Sequence, residues 1–304
     1  MHAGCMLTGV DMSFISYLIN GISLGSVYAI IALGYTMVYG IAKMLNFAHG
    51  DIIMVGGYII FTFMSTLRLS PFLSVLIAII LCTLLGLTIE RIAYKPLRRA
   101  PSLAVLITAI GVSYLLQNLA LLVCGAESKS FSSVIPVSAL SLADGRLIIS
   151  GEILVTIPLC IIIMIALNIY INKSKVGRAM IAVSEDKDAA VLMGINVNKT
   201  IAITFAIGSA LAAVASALMF STYPNLSSTS GAMPGIKAFV AAVFGGIGSV
   251  PGAMIGGVLL GIIEILSRAY ISTQLGDAIV FLVLIIVLFV KPTGILGKKI
   301  QEKV

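Results

Sequence analysis

The chain has no tryptophan, two histidines, twelve acidic residues and only 10% charged side chains across 304 positions. Soluble domains carry roughly 25% charged residues, so this scarcity excludes an ordinary water-solvated globule. No polar stretch is long enough to enclose a core of its own, which excludes an attached soluble domain. The four cysteines, Cys5, Cys82, Cys124 and Cys160, keep no CxxC or metal-ligand spacing. Three of them lie in or near apolar runs, where cysteine behaves as a small hydrophobe, so neither a redox nor a zinc role is expected. Also absent is a basic leader with a small-residue cleavage site, so no cleaved signal peptide is expected. Met12 is an alternative start, which leaves residues 1–12 as an N-terminal extension without an evident role.

What is present is apolar. Hydrophobic residues make up 60% of the chain, and the mean hydropathy is +1.14. The fold class expected is all-α, a polytopic transmembrane bundle forming a single domain over 1–304 with lipid as its solvent. Runs long enough to span lie near 14–40, 48–67, 71–93, 102–124, 151–171, 200–221, 236–265 and 275–291, about eight in all. The net charge of +7 sits at span ends and is not interleaved with aromatics, so it predicts no nucleic-acid partner. Arg91, Lys95, Arg98 and Arg99, then Lys173, Lys175 and Arg178, then Lys291, Lys298, Lys299 and Lys303 form three clusters. The positive-inside rule assigns all three to the cytoplasm and the chain to the plasma (inner) membrane.

Parity then constrains 236–265. A single crossing there would leave the C-terminal lysines outside, and the segment is interrupted by Gly245, Gly246, Gly248, Pro251 and Gly252. A continuous helix disfavours such a cluster. Two half-helices folded back at the break restore parity, predicting a re-entrant hairpin near mid-membrane that faces the translocation route. The polar stretch 125–150, with Asp144 and Arg146, becomes the largest external loop, either a partner surface or a plain connector.

Polar groups inside lipid are costly and therefore candidates for function. Asn46, His49 and Asp51 fall between the first two runs; His49 and Asp51 suit proton relay or metal binding, Asn46 and His49 are candidates to line a polar path, and the alternative is hydrogen-bonding and charge-balancing of a tight interhelical turn. Thr108, Gln117 and Asn118 lie inside the fourth run and either line a polar path or bond neighbouring helices. Glu90 and Arg91 close the third run as interfacial ions. Gly21 and Gly25, Gly252 and Gly256, and Gly257 and Gly261 are small-xxx-small pairs that permit close helix packing. Catalysis finds no support: HExxH and GxSxG are missing, no Ser/His/Asp set is recommended by spacing, and no catalytic or metal residue is assigned. The stretch 194–200 lacks the glycine that a phosphate-binding loop places before its lysine, so any ATP must be bound by another chain.

Between the fifth and sixth runs lies a charged loop, 172–199, whose centre reads as a short helix. Ser184 suits its cap, Glu185 and Asp186 its positive N-terminus, and Gly194 its left-handed close. Ala182, Ala189, Ala190 and Met193 fall on one face, a small flat surface able to dock in a partner's groove. A solvated helix lying on its own protein is the alternative.

Several stretches together resemble a known family: 21–40 (GISLGSVYAIIALGYTMVYG), 46–50 (NFAHG), 90–98 (ERIAYKPLR), 177–180 (GRAM), 194–196 (GIN), 244–257 (FGGIGSVPGAMIGG) and 292–297 (PTGILG). They resemble the membrane permeases of branched-chain amino acid ABC importers, the hydrophobic amino-acid uptake family, and most of all its shorter permease. The resemblance spans nearly the whole chain from residue 13 onward. It implies a second, related permease or a second copy, two cytoplasmic ATPases that use the ATP, and an extracytoplasmic substrate-binding protein. It also implies that Gly177, Arg178, Glu185, Asp186, Asp188, Ala189, Ala190 and Gly194 belong to a coupling segment docking on the ATPase. The wider importer class carries Glu-Ala-Ala with Gly four positions on, and here Asp188 stands in place of the Glu. A permease for sugars and a proton-coupled carrier using His49 and Asp51 are the rival expectations.

Overall fold

The computed structural model describes residues 2–98, 100–142 and 147–297, leaving Arg99, Asp144, Arg146, Lys298, Lys299 and Lys303 outside the described residues. The chain runs α1 (His2–Ala42), α2 (His49–Ser65), α3 (Pro71–Ile89) with a π-helical turn Glu90–Tyr94, and α4 (Ser102–Cys124). It continues through α5 (Gly151–Lys173), α6 (Lys175–Glu185), α7 (Lys187–Leu192) and α8 (Val197–Thr222) to α9 (Ala232–Gly245), α10 (Val250–Tyr270) and α11 (Gly276–Val290). Among the described residues six helices are long and apolar enough to cross a membrane, those containing Ser13–Ala42, Pro71–Tyr94, Ser102–Cys124, Gly151–Lys173, Val197–Thr222 and Val250–Tyr270. Three shorter apolar helices, α2, α9 and α11, accompany them.

Helix α1 is the axis of the bundle. From Val27 to Leu33 every side chain is buried, so the helix is enclosed all round by protein. It lies antiparallel to α10 with the backbones touching. A Cβ on Gly25 would meet Val258 O at 2.6 Å, and one on Gly261 would meet Gly25 N at 2.2 Å. The small-xxx-small spacing read from the sequence is therefore a contact surface that no side chain can enter. The outward faces of α4, α5 and α11 carry Leu122, Val123, Ile162, Phe289 and Val290, apolar and exposed as a lipid or subunit contact requires.

The run 236–265 is two helices, α9 and α10, which meet at residues 246–249. The physical reasons are local. Gly246 and Gly248 have φ of 106° and 92°, open to glycine alone without strain. Ser249 Oγ then accepts from Gly252 N at 3.2 Å, and Pro251 sits in the first turn of α10, where its missing N–H costs nothing. The turn lies toward one end of the bundle. It packs beside Gly40, near the end of α1, and against Gly294 and Gly297, just past α11. Ile295 N and Leu296 N donate to Phe244 O and Gly245 O at 2.9 Å each, satisfying the last carbonyls of α9.

Basic side chains among the described residues gather at that same end. Lys187 Nζ donates to Ala42 O at 2.9 Å, and Arg98 bonds Asn198 at the start of α8. The opposite end carries residues 125–142 and 147–150, where β1 (Lys129–Ser130) pairs antiparallel with β4 (Asn225–Leu226), and β2 (Leu140–Leu142) with β3 (Leu147–Ile149). Phe131 N also donates to Pro224 O at 3.2 Å, so this stretch is tied to the loop after α8.

Candidate functional site

The arm formed by α6 and α7 is built from its caps. Ser174 Oγ accepts from Gly177 N at 2.8 Å and starts α6, while Arg178 is exposed on its surface. Glu185 ends α6, and Asp186, extended at φ −156°, ψ 115°, breaks it from α7. The Asp186 carboxylate caps α7, accepting from Asp188 N at 2.9 Å and Ala189 N at 3.0 Å. The cap is therefore Asp186, not Ser184, whose hydroxyl donates back to Ile181 O at 2.7 Å inside α6. Gly194 closes the arm at φ +78°, as its position after α7 suggested.

The face presented by α7 differs from the expected one. Ala190 is only 3% exposed, packed into its own chain, although Ala189 and Asp188 face outward. The free apolar residues are Val191, Leu192 and Met193, at 58%, 88% and 82% exposure. One residue along a helix turns the side chain by about 100°, so a six-residue helix cannot be assigned a face from spacing alone. The Lys187 anchor fixes that rotation, because its ammonium sits on a carbonyl at the negative C-terminal end of α1. Burial lowers the Lys187 pKa from its ordinary value, with repulsion from Arg98 and Lys43 adding to it.

The proposed path residues separate into three groups. Asn46, His49 and Asp51 are buried around the start of α2 and are joined to neighbouring helices. Tyr94 OH donates to Asn46 Oδ1 at 2.8 Å, Gln117 Nε2 donates to Asp51 Oδ1 at 2.9 Å, and the His49 ring meets Tyr35 edge-on at 4.9 Å. Thr108 and Asn118 stand apart from that group. Each bonds its own helix, Thr108 Oγ1 to Ala104 O at 2.9 Å and Asn118 Nδ2 to Tyr114 O at 2.7 Å, and Asn118 faces outward. Gly245, Gly246 and Gly248 form the turn at the basic end described above. Glu90 is buried and ion-paired with Arg98 at the end of α3, and Arg91 beside it is exposed. Among the described residues no group of three or more His, Cys, Asp or Glu is placed to hold a metal.

A further polar cluster escaped the sequence reading. Lys237 Nζ donates to Glu264 Oε1 at 2.8 Å and to Asp277 Oδ1 at 2.7 Å. Arg268 Nη2 lies 2.7 Å from Glu264 Oε1 and 3.0 Å from Asp277 Oδ1. Tyr28 OH donates to Glu264 Oε2 at 3.0 Å, which ties α1 to α9, α10 and α11. Lys237 and Glu264 side chains are 5% and 1% exposed, whereas Arg268 and Asp277 are 33% and 40% exposed. The signal was available: Lys237 and Glu264 are charges inside an otherwise apolar run. Beside this cluster lies a cavity of about 180 Å³, walled by Leu24, Val27, Ile153, Met219 and Met233 and floored by Lys237, Glu264 and Arg268.

Residues 17–288 match the family model described as branched-chain amino acid transport system / permease component. The chain is 45% identical over 309 residues to the high-affinity branched-chain amino acid transport system permease protein LivH of Salmonella typhimurium, covering 96% of this chain and 98% of that protein. It is 43% identical over 302 residues, with the same coverage, to the high-affinity branched-chain amino acid transport system permease protein BraD of Pseudomonas aeruginosa. A probable LivH permease of Methanocaldococcus jannaschii is 29% identical over 282 residues, 88% of each chain. With its apolar bundle, its basic end and the arm projecting there, the chain belongs to the branched-chain amino acid transport permease family.

Proposed function

We propose that this chain is the membrane permease subunit of an ATP-driven importer for branched-chain amino acids, with the α6–α7 arm transmitting the ATPase stroke. The carrying observation is the exposed Val191, Leu192 and Met193 at the basic end of the bundle, an apolar knob that water disfavours and a partner's groove would cover. Lys187 holds that knob against the end of α1, so a push on the arm reaches the central helix of the bundle. Two cytoplasmic ATPases supply the ATP chemistry, a second permease completes the path, and an extracytoplasmic binding protein delivers substrate at the end carrying β1 and β4. The inner membrane is the location that this arrangement needs. In this reading α9 and α10 form a hairpin whose turn reaches the cytoplasmic surface, and α9 is the shorter leg.

The test is uptake of labelled leucine by the assembled importer in proteoliposomes. Uptake is expected with ATP and wild-type ATPases, and is expected to vanish with ATPases unable to hydrolyse ATP. Uptake that follows a proton gradient without ATP hydrolysis defeats the proposal, and uptake of a sugar in place of leucine defeats its substrate class.

A further inference from the structure

The Lys237–Glu264–Arg268–Asp277 cluster joins four charges among apolar helices, and its chemistry is specific. It holds two cations and two anions, so it is neutral overall. Half of it is sealed in protein, the Lys237–Glu264 pair, and half reaches the exposed side, the Arg268–Asp277 pair. The cavity beside it has aliphatic and thioether walls at Leu24, Val27, Ile153 and Met233 over a floor that offers both signs of charge. Tyr223, at the end of α8, and Asn20, on α1, also line it, which opens the cavity toward the end of the bundle remote from the coupling arm.

We infer that this cavity is a transit site for a zwitterionic aliphatic amino acid, an inference that rests on the importer reading above. An α-amino acid carries one carboxylate and one ammonium on a single carbon. Its carboxylate can take over an Arg268 or Lys237 link while its ammonium takes a link to Glu264, the carboxylate that lines the cavity. The exchange leaves every charge paired and the net charge unchanged. A solute with a net charge leaves one member of the cluster uncompensated in a low-dielectric site, and a neutral sugar offers no ions to replace those it displaces. The apolar walls receive the aliphatic side chain. The exposed Arg268–Asp277 pair is the one that yields first, since water already reaches it and opening it costs least.

A purely mechanical role, locking α9 to α10 and α11, is separable by experiment. Replacing a buried ion pair by apolar residues of similar volume is commonly neutral or favourable for folding. The double variant Lys237→Met with Glu264→Met removes one charge of each sign and leaves Arg268 paired with Asp277. Complex yield is expected to hold while uptake of labelled leucine by the reconstituted importer falls at least about tenfold, the scale set by losing one charged hydrogen bond. Undiminished uptake in that variant overturns the transit site and leaves only the lock. Should the double variant fail to assemble, Val27→Phe fills the cavity without touching a charge, and retained uptake in it overturns the inference equally. A wild-type importer that takes up no leucine at all counts against the family-based reading instead.

Discussion

At the residue scale, neighbouring positions on α7 have opposite tasks. Ala190 is enclosed by its own chain and Leu192 stands in the open. Ala190→Arg therefore overpacks the permease itself, at about 1–3 kcal/mol for volume and more for the buried charge. Its expected result is a lower yield of the permease before any partner is added. Leu192→Asp changes nothing inside the chain, so the permease is expected at wild-type yield, yet its co-purification with the ATPases and its uptake should both fall at least about tenfold. Measuring permease yield and ATPase recovery for the two variants side by side checks the assignment. Normal coupling in Leu192→Asp would mean that the knob is a bystander. The loop sequence showed that a helix starts and stops here. It did not show which residue points outward, because that follows from the Lys187 anchor on Ala42, 145 positions away along the chain.

At the element scale, the junction of α9 and α10 is a packing device. Gly246 has φ +106°, and a Cβ on it would meet Gly297 N at 2.4 Å, in the segment that follows α11. Gly246→Leu is thus strained in its own backbone and displaces the two hydrogen bonds that close α9. The expected outcome is proportional loss of complex yield and transport on the same preparation. Loss of transport at full yield would assign the turn to the path instead. Glycine and proline identified the break in the sequence because they act on their own backbone. Where the break packs depended on what Gly246 and Gly248 touch, Gly297 and Gly40, which no local signal shows.

At the scale of the whole molecule, the bundle has a basic end and an opposite end, and the topology follows. Cysteines introduced at Ser130 and Thr273, in a background lacking the native cysteines, are expected to react with an impermeant thiol reagent in intact cells. One introduced at Lys173 is expected to stay protected until the cells are opened. Labelling of Lys173→Cys in intact cells would invert the orientation. The charge of the connecting segments is displayed openly in the sequence, so the expected orientation rests on Lys and Arg clusters such as Lys95, Lys175 and Lys291.

The sequence by itself determined the solvent, the class and the rough bounds of most spans, because hydropathy, charge and helix-breaking residues act over one turn or one span. It also exposed the glycine spacing by which α1 meets α10, since that spacing is a property of each helix alone. Tertiary structure alone decided the rest. It joined Gln117 to Asp51, sent Asn118 outward, turned Ala190 in and Leu192 out, and assembled Lys237, Glu264, Arg268 and Asp277 with Tyr28 into one neutral cluster. Each of these depends on how a helix is rotated about its axis against partners far away in the chain. A rotation of about 100° per residue carries a side chain from lipid to core, and only packing sets it.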